Sequence, residues 1–154
     1  MKKIFLILAL FVGMLRAEEG MVRAVFDLTT ADAKTFESRF IKGVAFHKAH
    51  YEGKFKELEI VVVIHGGAYK FFVKEIGKTA IKIDAKEAAV LHELKQRIES
   101  LVKTYNVKLQ MCGMGMKKYE IKEENIYEFV EVVPSAMVGL IDAQSSGHSY
   151  IPIF

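Results

Sequence analysis

Tryptophan is absent from this chain of 154 residues, proline occurs twice and cysteine once. A single Cys112 cannot close an intramolecular disulfide, which excludes a disulfide-stapled scaffold. Two prolines, Pro134 and Pro152, exclude collagen-like and proline-rich low-complexity chains. An excess of one charge is also lacking. The formal +3 is carried by Lys2, Lys3 and Arg16, and setting those three aside leaves 19 basic against 19 acidic groups. A neutral domain without a basic cluster has no electrostatic footprint for nucleic acid, so none is expected as a partner.

What is present fits a compact globule: 51% of residues are apolar, and 11 Phe with 6 Tyr supply large core side chains. The length suits one domain. Lys2-Lys3 precedes a 12-residue apolar run, Ile4 to Leu15, and Ala17 stands just before Glu18-Glu19. At about 1.5 Å per residue such a run is too short to cross a bilayer but suits the apolar region of a secretory signal. The expectation is therefore a cleaved signal peptide over 1–17, a single domain over 18–154 and contact with a membrane only during export.

Along the mature chain, strands and helices alternate. Met21 to Leu28 reads as a strand, and Thr30 or Asp32 then caps a helix running to about Tyr51. Phe36, Phe40, Val44, His47 and Tyr51 form one buried stripe of that helix. Glu59 to His65 is a β-branched run of the kind covered on both faces of a parallel sheet. Gly66-Gly67 breaks it and opens a short helical stretch around Ala68 to Ile76. Asp84 caps a long helix, Ala85 to Tyr105, whose Glu93 and Arg97 stand one turn apart. Val107 to Cys112 is the next strand, followed by a flexible run to Met116. Glu123 to Phe129 reads as a short helix, Val130 to Val133 as a strand, Ala136 to Gln144 as a last helix and Tyr150 to Ile153 as an extended end that packs rather than faces water. The alternation predicts an α/β fold, a mostly parallel sheet with helices on both faces.

In such sheets sites form beyond the carboxyl ends of strands. Two candidates stand there: His65 with Gly66 and Gly67, and Cys112 with Gly113. Glycines permit tight turns and close approach, so a thiol at a strand end beside a glycine loop is expected to be accessible. To react it must ionise, with help from loop amides or from a cation such as Lys117, Lys118 or His65. An inert, packed Cys112 is the alternative reading of the same residues. His47 and His50 lack a third ligand, and Met111, Met114, Met116 and Met137 more often fill core gaps than hold Cu(I), so no metal is expected. The double glycine lacks the Lys-Ser/Thr of a P-loop, and no Gly-x-Ser-x-Gly elbow is present.

The order of landmarks resembles a known family. A β-branched strand runs into HGGAYKFF, a long helix follows, then KLQMCG and VEVVPSAMVGLIDAQSSGHSYI. These resemble the DsrE/DsrF-like proteins, in particular their exported single-domain branch with one Cys, from about Val22 to Ile153. The resemblance implies a YchN-like three-layer α/β sandwich, assembled as a symmetric homo-oligomer, a trimer or hexamer. It also implies that Cys112 carries sulfane sulfur as a persulfide. Unlike the cytoplasmic relay members, this chain is expected to carry an export signal, and it reads CGMGM at the Cys loop.

The resulting expectation is an exported, periplasmic sulfur-handling protein, sulfurtransferase-like at most. Cys112 accepts and donates sulfur, while His65, Gly66, Gly67 and Gly113 shape the pocket. Its partners are a sulfane-sulfur donor or acceptor, and it needs no cofactor. The alternative is a non-catalytic oligomeric module binding a small anion or a protein partner. A third reading is a Cu(I) site of Cys112 with Met114 or Met116.

Overall fold

A computed structural model describes residues 20–154, so the expected signal peptide over 1–17 lies outside the described residues. Five strands form one parallel sheet: β1 (Met21–Leu28), β2 (Glu57–Ile64), β3 (Lys108–Cys112), β4 (Val130–Val133) and β5 (Ser149–Ile153). Their spatial order is β4-β3-β2-β1-β5, and every neighbouring pair is parallel. Successive crossovers from β1 to β4 step one way across the sheet. The return from β4 to β5 passes back over three strands. Right-handed crossovers taken in opposite directions place their helices on opposite faces, so the sheet is sandwiched.

The first face is covered by α1 (Ala33–Thr35), a π-helical turn (Phe36–Ile41), α2 (Lys42–Glu52) and α3 (Ala85–Tyr105). Here Phe26, Leu28, Ile60, Val62, Ile64 and Met111 meet Phe36, Phe40, Val44, Leu94 and Ile98 in the main core. Alternate strand residues Val25, Val61 and Val63 point the other way, onto Ala136, Leu140 and Ala143 of α5 (Ala136–Ser145). This period-two division is what a strand covered on both faces requires.

Local signals set the helix ends. Asp32 accepts from the Thr35 amide at 2.6 Å, Asp84 from Glu87 at 2.7 Å and Ser135 from Val138 at 3.2 Å. Each side chain satisfies an orphan donor of a first turn. Asn106 ends α3 in the left-handed conformation, with φ of 50°.

Several expectations are corrected. Cys112 to Met116 is not a flexible run; Gly113–Lys118 forms a short helix, α4. Helix over Glu123 to Phe129 shrinks to one 3₁₀ turn, Glu123–Asn125. His47 is exposed rather than part of the buried stripe. Arg97 pairs across to Glu37 at 2.9 Å rather than with Glu93, because the tertiary partner also packs α3 onto the π-helical turn. The extended chain end is a true edge strand beside β1, where Pro152 needs no amide partner on its open side. Of that end Ile153 is buried, whereas Tyr150, Ile151 and Phe154 are exposed.

Candidate functional site

Cys112 ends β3 and, by strand alternation, faces the α5 side, opposite to Met111. It is buried, with 7% of the residue exposed, which corrects the expectation of an accessible thiol. The reason is the helix that replaces the loop. As α4 turns straight out of β3 and α5 begins beside it, their first amides close around the sulfur.

Burial pushes the Cys112 thiol up, but the amide of Gly115, the hydroxyl of Tyr69 and the amides of Ala136 and Met114 hydrogen-bond its charged form. Their combined effect wins, and the thiol sits below its ordinary range. Tyr69 belongs to the 3₁₀ helix Gly66–Phe71. Its hydroxyl donates to the Cys112 carbonyl oxygen at 2.6 Å and also lies within reach of the sulfur. Burial, and then this partnership with Cys112, raises the Tyr69 phenol far above its usual value, so it remains a donor. Gly115 is required by the same contact. A Cβ there would fall inside the Tyr69 hydroxyl, closer than real Cβ atoms approach.

Gly113 passes close to β4, where a Cβ would stand 3.1 Å from the Val133 carbonyl oxygen. An open groove of about 560 Å³ runs beside it, lined by Gly113, Met114, Met116, Val132 and Pro134 among others. Gly66 adopts φ of +61°, and a Cβ on Gly67 would lie 2.5 Å from that of Ala31. Both glycines are thus accounted for by the turn that seats the 3₁₀ helix on Thr29 and Ala31.

His65 directly follows β2, whose last pair with β3 is Ile64↔Met111. One residue further along each strand are His65 and Cys112, on the same face of adjacent strands, whose backbones run about 5 Å apart. Their strand ends are neighbours, but the groups that hydrogen-bond the sulfur are Gly115, Tyr69, Ala136 and Met114, and His65 turns to β1 instead. Sequence reasoning missed the partner of His65, Asp27, and the residue that holds Asp27 in turn, Tyr150. The His65 Nε2 lies 2.5 Å from Asp27 Oδ1, and the Tyr150 hydroxyl donates to Asp27 Oδ2 at 2.6 Å. Asp27 is 7% exposed. A charged residue inside the apolar strand VRAVFDL was the available signal, since carboxylates are seldom buried without partners.

The remaining histidines lie elsewhere. His92 and His50 are exposed, and His148 is buried with Nδ1 on the Ala143 carbonyl at 2.9 Å. Among the described residues, no three His, Cys, Asp or Glu side chains converge as metal ligands. Met111 and Met116 are core residues, while Met114 and Met137 are exposed.

From the residues upward, this is a parallel α/β sandwich with an amide-held thiol at the end of β3 and a carboxylate-bound imidazole at the end of the neighbouring β2. The chain belongs to the DsrE/DsrF-like family, whose sequence model matches residues 23–153. An uncharacterized protein of Aquifex aeolicus (strain VF5) is 27% identical over 154 residues, covering 99% of this chain and 64% of that protein. The chain thus spans less than two thirds of that relative. A protein of unknown function from Methanobacterium thermoautotrophicum has a similar solved structure, with a TM-score of 0.60 and 18% identity. The match covers 85% of this chain and 98% of that one, and it shows the shared fold.

Proposed function

We propose that this protein is an exported, periplasmic sulfur carrier in which Cys112 takes up sulfane sulfur and passes it on as a persulfide. The observation that carries the reading is the ring of Met114, Gly115 and Ala136 amides and the Tyr69 hydroxyl around one sulfur. Those donors favour an anionic sulfur, whether thiolate or persulfide. The thiolate attacks the outer sulfur of a donor R–S–S⁻; a new S–S bond forms on Cys112 as the donor's own S–S bond breaks. The leaving thiolate R–S⁻ departs with the bonding pair. An acceptor thiolate then takes the outer sulfur, restoring Cys112. Exchange of this kind needs neither metal nor organic cofactor.

The protein works as a homo-oligomer, a trimer or hexamer on the family's pattern. Support comes from α5, whose outward side chains Met137 and Ile141 are 71% and 54% exposed. Apolar faces on that scale favour coverage by another subunit.

Incubation of the protein with thiosulfate or polysulfide, followed by intact mass measurement, tests the carrier. One added sulfur on wild type and none on Cys112→Ser is expected. An adduct on the serine variant, or none on wild type, overturns it. The burial of Cys112 supports a second reading, a non-catalytic binding module with a packed thiol. In that case the native thiol resists alkylation and reacts only after denaturation.

A further inference from the structure

We propose that the cleft between α5 and the first halves of β1, β2 and β3 binds a small zwitterion. His148 and Asp142 hold its ammonium, and Arg23 holds its carboxylate. The inference goes beyond the carrier reading and draws on none of it. Lys108 opens β3 and lines this cleft, whereas Cys112 closes the same strand and does not line it.

The starting observation is one ring nitrogen. His148 is 8% exposed. Gly147, with φ of +86°, turns the chain sharply after α5. The Ala143 carbonyl then accepts from the His148 backbone amide at 3.1 Å and from its ring Nδ1 at 2.9 Å. A carbonyl only accepts, so the ring proton belongs on Nδ1 and Nε2 keeps a bare lone pair. That atom is buried and, among the described residues, has no partner. Buried polar atoms are nearly always paired, so this one calls for a group that the folded chain does not supply. A bare lone pair calls for a hydrogen-bond donor.

His148 lines an open cleft of about 410 Å³. Small-ligand sites run from about 300 to 1,000 Å³. With Nδ1 turned to the end of α5, Nε2 is the polar atom that His148 offers to this cleft.

The charges of the lining are divided unequally between paired and unpaired groups. Glu59 is occupied twice: Lys108 Nζ donates to Oε1 at 2.7 Å and Arg23 Nε to Oε2 at 3.4 Å. Use of Nε leaves the two Nη groups of Arg23 without a hydrogen bond among the described residues. They present donors suited to a carboxylate. Asp142 is exposed, and its carboxylate makes no hydrogen bond or ion pair among the described residues.

Two acceptors, the Nε2 lone pair and the Asp142 carboxylate, therefore share a cleft with unpaired guanidinium donors. A simple anion would meet both acceptors, and a simple cation would leave Arg23 unpaired. A molecule with an ammonium and a carboxylate satisfies all three. A metal is not the natural occupant, since no three His, Cys, Asp or Glu side chains converge among the described residues. Asp142 stands about 100° or more round α5 from Met137 and Ile141, so the apolar side proposed for subunit contact is a different one.

Glycine is the probe, because it carries the two groups and nothing else. Long-range nitrogen-15 NMR of the protein reads the His148 ring before and during a glycine titration. The proton is expected on Nδ1, and glycine should move the Nε2 resonance saturably. Glycinamide lacks the carboxylate and N-acetylglycine lacks the ammonium, so each should bind at least about tenfold more weakly. Asp142→Asn and Arg23→Gln should bring similar losses with unchanged far-UV spectra, and the exposed position of Asp142 leaves the core of its variant intact. Cys112→Ser should bind glycine as wild type does. A proton on Nε2, a ring unmoved by glycine, equal binding of the blocked analogues, or undiminished binding by the folded variants overturns the inference.

Discussion

The Tyr69 hydroxyl reaches the Cys112 backbone carbonyl at 2.6 Å across 43 residues of sequence. It ties the strand end that holds the thiol to the 3₁₀ helix that follows β2. Because the same hydroxyl lies within reach of the sulfur, Tyr69→Phe removes one donor from the thiolate while keeping the ring in the core. The midpoint of the Cys112 alkylation profile in wild type should fall below the ordinary thiol value of about 8.5. Phenylalanine should move it up toward that value. An unchanged midpoint in the variant would remove Tyr69 from the site.

The lowered thiol also makes stability depend on pH. The folded protein gives up the Cys112 proton before the unfolded chain does, so stability rises with pH between the folded midpoint and the ordinary thiol range. The stabilisation is complete above the unfolded value and is lost as pH falls through the folded one. Urea melts of wild type and Cys112→Ser at a series of pH values should therefore show their difference shifting in favour of wild type as pH rises. Parallel curves would contradict it.

Gly115→Ala should destabilise the fold by about 1–3 kcal/mol, the usual range for overpacking. The new methyl would collide with the Tyr69 hydroxyl and ring. Chemical denaturation measures the loss. A variant as stable as wild type would mean that the ring moves aside freely, and its alkylation profile should then resemble that of Tyr69→Phe.

Met137→Lys combined with Ile141→Lys places two charges on the exposed apolar side of α5. Buried like charges are costly at an interface core. Sedimentation velocity should show wild type as an oligomer and the double variant as a smaller species with an unchanged far-UV spectrum. Wild type sedimenting as a monomer at micromolar concentration would end the oligomer proposal.

At the end of α3, Asn106 holds φ of 50°. Asn106→Gly should be neutral or slightly stabilising, whereas Asn106→Ala should cost about 1 kcal/mol from the left-handed penalty. Thermal melts distinguish the two.

The sequence by itself determined the alternation of elements. β-branched runs such as Glu59 to His65, capping residues Asp32, Asp84 and Ser135, and the stripe of Phe36, Phe40 and Val44 act over a few residues each. Their physics is local, so β1, β2, α3, β4 and α5 were legible, as was the placement of His65 and Cys112 at strand ends. The tertiary structure alone decided what surrounds them. Gly113 to Met116 reads as loop because glycines weaken a helix, yet α4 forms there, packed by Met116 and by Tyr69 on Gly115. That packing turns the expected exposed thiol into a buried one held by amides. Asp27 and Tyr150 are 123 residues apart, and only the return of β5 to the free edge of β1 brings their side chains together. Pairings of that range depend on which strand lies beside which, and no local propensity encodes them.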